Sequence, residues 1–487
     1  MSEKLHSHLE RRLAGEQQTF ARPLRALVQG AVVTCGTEST VAQAAALMRA
    51  RGVGSVVAVD ARSQPVGIVT SHDMVRVVAE DAGARRVAEI MTPDPVSLPA
   101  HAFAFEAAVA MTSRRIRHVL VVDEGRLVGV VSERDLFSLQ RLGLGEITME
   151  LRLAADVPVL AGIAAVVRKL TATLIEQGVA AEQVALFVSV LNDRISQRVI
   201  EIVRKRHDLE RISWCWLAFG SEGRVEQTFA SDQDNGLVFV AHGDASAAAA
   251  RERLLPFARE VNEGLDACGF PLCKGNVMAS NPALCLSLDE WKAKFAGWIA
   301  NTDPKALLDA SICFDFRSLA GDAGLAAGLR EWLLTRVQSR PAFLRLLAEN
   351  ALTAQPASGR LRDFATDEAP EAPHSIDLKM HGARPFVDAA RLYALAHGLP
   401  QTGTVERLRA AAAAGALGAA EVSAWVRAFG HIQGLRLRAQ GGDQPAAYGT
   451  ANRIDPDRLD GFERSALKEA FLQASRLQKR LRLDYQF

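Results

Sequence analysis

A unit of helix, strand, turn, strand and helix occurs twice within residues 23–143, and this internal repeat constrains the fold more than any other stretch. Residues 40–48 (TVAQAAALM) match 103–111 (FAFEAAVAM), both with helical character. Residues 53–60 (VGSVVAVD) match 116–123 (IRHVLVVD), and 67–73 (GIVTSHD) match 129–135 (GVVSERD), both strand-like and each entering a second helix. Thr70 with Asp73, and Ser132 with Asp135, therefore sit at equivalent strand-to-helix junctions, where a helix start favours an anion. The same spacing is also an N-terminal capping pattern, so both readings stand. Arg114, Arg115, Arg117 and His118 add positive charge to the second copy, either for a phosphate or as a solvated face.

The chemistry concentrates in residues 217–239, LAFGSEGRVEQTFASDQDNGLVF. An apolar run ends in Gly220-Ser221, and Asp232 and Asp234 lead into a second apolar run. If the runs are neighbouring strands, the two aspartates project to one side, because side chains two apart share a strand face. Gly220 allows close approach of backbone to a phosphate, and Ser221 offers donors. Two carboxylates supply the hard oxygen ligands that magnesium prefers, with phosphates and water completing its shell. Such ions can hold attacking and leaving oxygens in line at an α-phosphate, which is nucleotidyl transfer. Asp-x-Asp and Gly-Ser separately are weak signals; their order between two strands makes the pattern specific.

This pattern resembles the DNA polymerase β nucleotidyltransferase superfamily. It is similar within that group to the PII uridylyltransferases and glutamine synthetase adenylyltransferases, in which Gly-Arg-Gly-Glu precedes the aspartates. Here the residues are Gly223-Arg224-Val225-Glu226, with valine in place of the family's usual glycine. The repeat resembles a tandem CBS pair. Over nearly its whole length the chain resembles bacterial nucleotidyltransferases that join a CBS pair to such a domain and to a helical substrate-binding domain. The resemblance implies an α/β multidomain fold: an N-terminal segment 1–22, a CBS pair 23–143 (copies 23–82 and 83–143), a mixed-sheet transferase domain 150–325 with preceding helices, and an all-helical domain 335–487. It also implies Mg2+, UTP or ATP as substrate, and transfer of a nucleoside monophosphate to a hydroxyl on a protein acceptor. Adenine nucleotide would act as effector in the CBS clefts, with Thr70 and Ser132 on phosphate, Asp73 and Asp135 on ribose, and Arg117 and His118 nearby. CBS pairs often dimerise, so a homodimer is expected.

Further site residues follow from the same resemblance. Arg224 and Glu226 either touch the nucleotide or pair with each other to hold the loop. Residues 269–282 correspond to a strand leading into a loop, with Lys274, Asn276, Ser280 and Asn281 facing the nucleotide. Many superfamily members carry a third carboxylate on that strand, and none is present here. Asp315, in the strand-like run 311–317 (SICFDFR), is the substitute catalytic acid, since a buried acid needs a metal or a partner; Arg317, two residues on, offers a plain ion pair instead. In 376–395, Lys379, Arg384 and Arg391 either neutralise triphosphate, meet an acidic protein surface, or form ordinary helix surface.

Composition sets outer limits. At 487 residues, with 49% hydrophobic and 23% charged, the chain has room for about three domains. A net charge of +1 without a long basic run gives no electrostatic footprint for nucleic acid. The first twenty residues lack an apolar segment, and apolar stretches are interrupted short of a membrane span, so a cytoplasmic protein without membrane contact is expected. Cys268 and Cys273 lack zinc-site spacing, and the six scattered cysteines read as reduced small hydrophobes. Apolar spacing of three and four predicts helices from 151 to 207, including 181–206, and an alanine-rich helix over 245–265. Two other function classes remain open: a nucleotide sensor without turnover, which the missing carboxylate favours, and a transferase acting on a small-molecule hydroxyl.

Overall fold

The computed structural model describes residues 23–28, 32–62, 64–71, 73–74, 77, 85–114, 116–133, 135, 143–176, 181–242, 246–301, 304–357, 364–369, 371–441 and 450–486. The segment 1–22 and Arg115, both singled out from sequence, lie outside the described residues. Backbone contacts divide the chain into two compact units, Ser7–Ile147 and Thr148–Phe487.

The first unit builds the repeat as two small sheets. One has the order β1 (Thr34–Gly36), β2 (Ser55–Val59), β3 (Pro65–Thr70), β4 (Thr92–Pro93); the other has β5 (Ser97–Pro99), β6 (His118–Asp123), β7 (Arg126–Ser132). In each, a parallel pair is followed by an antiparallel pair, and Ser55 faces Thr70 as His118 faces Ser132. The helices between strands start as the sequence dictates. Thr40 and Gln43 exchange side-chain and backbone hydrogen bonds in a capping box, and Gly52 ends that helix in the left-handed region. Glu106 accepts from the Phe103 amide at 2.8 Å at the matching point of the second copy. Valines at the strand centres, including Val56, Val57, Val69, Val119, Val121 and Val131, are buried, as β-branched residues on a pleated surface should be.

The second unit begins with helices Val157–Glu176 and Ala181–Arg204, which precede a mixed sheet. Residues Val157–Ile175 form one helix long and apolar enough to cross a membrane by length and composition, with mean hydropathy 1.6, which corrects the expectation that apolar stretches stop short of a span. Of that window 44% is buried within the protein; Leu160, Ile163, Val167 and Leu174 lie in the interior, and the helix packs on Ala181–Arg204, Ala247–Ala267 and Ala419–Gln440.

The sheet has the order β10 (Cys285–Ser287), β9 (Asn235–Ala241), β8 (Ile212–Ala218), β11 (Arg317–Gly321). The two apolar runs that bracket the Gly-Ser and Asp-x-Asp residues are neighbouring antiparallel strands, with Leu217 opposite Gly236 and Ala218 opposite Asn235. β10 runs parallel to β9, and β11 antiparallel to β8.

Two local expectations need correction. Residues 269–284 form turns and a loop instead of a strand, and the third strand begins at Cys285. Residues 311–313 end the helix Pro304–Cys313, so Asp315 lies in the turn before β11 and not within a strand. The C-terminal part is dominated by helices, among them Ala323–Gln338, Arg384–Ala396, Thr404–Ala413, Ala419–Gln440 and Gly461–Asp484, with a three-stranded sheet of Asp367–Ala369, Ala372–Asp377 and Arg453–Ile454. One continuous apolar core joins this mixed sheet to these helices, from Leu217, Phe219 and Val238 through Phe314 to Leu392, Trp425 and Leu477.

Candidate functional site

The β8–β9 register decides where the chemistry falls. Past Ala218 the chain makes a single helical turn, Gly220–Gly223, while the opposite strand is entered through Asp232-Gln233-Asp234. The Phe219 amide donates to the Asp234 carbonyl at 2.8 Å, extending the ladder by one bond. Alternation then sorts the acidic segment. Gln233 and Asn235 turn inward: Asn262, on the helix Ala247–Ala267, donates to Gln233 at 2.7 Å and to Asn235 at 3.0 Å. Gln233 also donates to the Phe270 carbonyl, and Asn235 accepts from the Ala279 amide. These bonds pin the segment and the loop after it, leaving Asp232 and Asp234 on the other side.

The ligand atoms of Asp232, Asp234 and Cys273 lie within 4.8 Å of one another. Gly220 makes room for them. Its φ is +53°, and a Cβ there would stand 2.8 Å from Oδ2 of Asp234. Burial first, and the Asp232 charge second, push the Asp234 carboxyl up to about 6, opposed by a hydrogen bond from the Cys273 thiol and by the charges of Lys379 and Arg224. Burial and the same aspartates push the thiol up to about 11. Two carboxylates held together at this cost, with a free approach kept by a glycine, form a donor set that fits a divalent cation. Lys379, exposed on the π-helical turn Leu378–Ala383, acts on Asp234 from the C-terminal helices. Lys274 is exposed on the loop next to Cys273.

Other predicted residues are placed elsewhere. Asp315 is fully buried, and three guanidiniums occupy its oxygens: Arg224 Nη1 at 2.7 Å, Arg391 Nε and Nη2 at 2.9 and 2.7 Å, and Arg407 Nη1 at 2.6 Å. Burial alone would raise its carboxyl, but Arg391, Arg407 and Arg224 outweigh it and hold the group well below the usual carboxylate range. Its reading as a catalytic acid is corrected on that geometry: no face is left for metal or substrate. Arg317 does not pair with it either; Arg317 donates to Asp193 at 2.6 Å and to the Glu222 carbonyl. Of the two readings for Arg224 and Glu226, nucleotide contact or a mutual pair that holds the loop, the structure shows the pair: they meet at 2.9 Å, and Glu226 also accepts from the amide and hydroxyl of Thr404. Arg391 is likewise taken up by Asp315 and Asp388, and Arg384 by Asp388. Asn281 donates to the Asn276 carbonyl and the Ser280 amide to Asn262, so these hold the loop.

The Arg224 loop is thus a clasp between the β8–β9 sheet and the helices Arg384–Ala396 and Thr404–Ala413. Gly223 allows it, since a Cβ there would overlap the Asp315 carbonyl oxygen at 1.7 Å. Val225 takes a φ of +59°, a left-handed conformation that favours glycine, at the motif position where the resembling families usually carry glycine. Two groups that the sequence did not flag belong to this region. Arg407 is buried in the clasp, and Glu222, directly after Ser221, is buried and pushed up to about 8 by burial and then Asp193.

In the first unit, Thr70 donates to Asp73 through amide and hydroxyl at 2.9 and 2.8 Å, and Ser132 to Asp135 at 2.8 and 2.6 Å. The capping pattern is therefore formed in both copies. His118 is held below its ordinary value by burial first, while Asp135 and Asp73, one from each copy, act in the opposite sense. Arg117 is exposed and stands 3.9 Å from Glu133.

Comparison with known proteins agrees with this architecture. Residues 24–80 and 87–141 match the CBS domain family, residues 165–305 match the family described as "Putative nucleotidyltransferase DUF294", and residues 341–485 match "Putative nucleotidyltransferase substrate binding domain". The chain thus joins a CBS pair to one region of each of these two families.

Among curated relatives of this CBS-linked transferase-family chain, an uncharacterized protein from Methanopyrus kandleri is 30% identical over 125 residues, 25% of this chain and 64% of that protein. An inosine-5'-monophosphate dehydrogenase from Mycobacterium leprae is 31% identical, over 26% of this chain and 24% of that enzyme. The chain spans 64%, 34% and 24% of the first three curated relatives, under two thirds of each. Solved structures that match include a CBS-domain containing protein from Agrobacterium tumefaciens (31% identity, 25% of this chain, 96% of that one, TM-score 0.24). Another is a CBS domain protein from Pyrobaculum aerophilum complexed with AMP (28% identity, 23% and 89%, TM-score 0.23).

Proposed function

We propose that the protein is a magnesium-dependent nucleotidyltransferase of the uridylyl- or adenylyltransferase type. It moves a nucleoside monophosphate from UTP or ATP to a hydroxyl, preferentially on a protein, under control of adenine nucleotide at the CBS pair. The observation that carries this reading is the convergence of Asp232 and Asp234 beside the Gly220-Ser221 turn, with Gly220 keeping the approach to Asp234 open. Bound magnesium would supply charge neutralisation at the phosphates. Asp232 and Asp234 would hold it, the Gly220-Ser221 turn would take the outer phosphates, and Lys379 and Lys274 would add positive charge around them. The acceptor oxygen forms a bond to the α-phosphorus as the bond to pyrophosphate breaks, and the hydroxyl proton leaves to a base or water.

The clasp at Asp315 fixes the helices Arg384–Ala396 and Thr404–Ala413 against the sheet, which keeps Lys379, on the turn before the first of them, near Asp234. In the CBS unit, Thr70, Asp73, Ser132 and Asp135 would exchange their capping bonds for phosphate and ribose contacts, with His118 within electrostatic reach of both carboxylates. The test is incubation of the full chain with magnesium, cell lysate and each α-labelled nucleoside triphosphate in turn, followed by intact-protein mass spectrometry. Label and a nucleotide-sized mass gain on a polypeptide support the reading. Label on a small molecule supports the small-molecule alternative, and nucleotide binding without any transfer or pyrophosphate supports a sensor.

A further inference from the structure

The cation site contains a donor that the proposed chemistry does not use. Cys273 comes from the loop that replaces the expected third strand, and its Sγ lies in the same 4.8 Å cluster as the carboxylate oxygens of Asp232 and Asp234. Its position is built. The Asn276 amide donates to the Cys273 carbonyl at 2.9 Å, closing a tight turn in which Asn276 has φ +54°. The amides of Gly275 and Val277 favour negative charge on the sulfur, and the thiol in turn favours the ionised form of Asp234. The other five cysteines do not share this cluster; Cys215, Cys268, Cys285 and Cys313 are buried elsewhere.

We infer that Cys273 is the third protein ligand of the cation site, so that the site takes thiophilic divalent ions such as Co2+, Zn2+ or Cd2+ through sulfur as well as oxygen. This rests on the reading of Asp232 and Asp234 as cation ligands. Magnesium, which demands oxygen, leaves the thiol protonated and bonded to Asp234; a softer ion displaces the thiol proton to solvent and gains one sulfur ligand. Metal choice at this site is therefore set by Cys273, on the segment where many members of the resembling superfamily carry a third carboxylate.

The experiment titrates the full-length protein with Co2+ and reads the near-ultraviolet thiolate-to-cobalt charge-transfer absorption, with bound metal counted by equilibrium dialysis. The expected result is a one-thiolate band in the wild type that disappears in Cys273→Ser while Co2+ still binds more weakly, and a loss of both band and binding in Asp234→Asn. Cys273→Asp, a second variant at the same place, should lose the band and bind Mg2+ more tightly than the wild type. Co2+ binding that depends on Asp234 but gives no band, or a band that survives in Cys273→Ser, overturns the role of Cys273 and leaves the carboxylate site standing. Absence of any Asp234-dependent Co2+ or Mg2+ binding overturns both.

Discussion

Gly220 and Asp234 stand so close that a methyl group on the first would lie 2.8 Å from Oδ2 of the second. The contact ties the Gly220-Ser221 turn to the Asp234 carboxylate and makes the glycine irreplaceable for two reasons: space, and a φ of +53° that side chains rarely adopt. Gly220→Ala should therefore displace the carboxylate and weaken Mn2+ binding, measured by calorimetry, by at least about tenfold, equivalent to about 1.4 kcal/mol. The fold, checked by circular dichroism, should survive.

Cation binding should depend on pH through Asp234. In the cation-free protein this carboxyl is pushed up to about 6, chiefly by burial and by Asp232. Its proton must leave before the ion enters, so affinity should fall about tenfold per pH unit below about 6 and level off above about 7. Without cation the sign for folding is opposite to that of a salt-bridged acid: the native state holds the proton more tightly than the unfolded chain, so this group costs stability as pH rises from about 4 to about 6. Calorimetric titrations and urea melts at stepped pH check the two halves separately.

Asp315 is expected to matter for stability and not for chemistry. Asp315→Asn removes the negative charge from among Arg224, Arg391 and Arg407, and breaking a buried ion cluster on one side costs about 3–5 kcal/mol. Urea unfolding should show that loss, while cation affinity of the folded fraction stays close to the wild type. A catalytic acid would give the reverse pattern.

Val225→Gly should stabilise the protein. A β-branched residue at φ +59° carries about 1–2 kcal/mol of strain, and glycine removes it at an entropic cost of about 0.5–1 kcal/mol, for a net gain of up to about 1.5 kcal/mol. A rise in the urea midpoint without change in slope is the expected readout.

The elements whose signals are local were legible in the sequence. The repeat, the β8–β9 pair and the Ala247–Ala267 helix follow from capping, periodicity and turn residues, and Asp232 and Asp234 follow from alternation into an apolar strand. The clasp was not legible, because its partners are far apart in the chain: Asp315 meets Arg224, Arg391 and Arg407 across 91, 76 and 92 residues. Nothing local distinguishes such an acid from a catalytic one. Cys273 was read as a small hydrophobe because its partners, Asp232 and Asp234, lie on another segment, and the loop that aims it stands where a strand was expected. The apolar helix Val157–Glu176 was missed as a continuous span because Arg168 and Lys169 interrupt its middle.

Pyrophosphate release from nucleoside triphosphate and magnesium, compared between the full-length protein and Asp234→Asn, tests the central claim most directly. The account predicts release by the wild type that is lost in the variant while its fold is retained. Equal release by both proteins, or none by the wild type with any of the four triphosphates, acceptor-containing lysate and magnesium present, would contradict it.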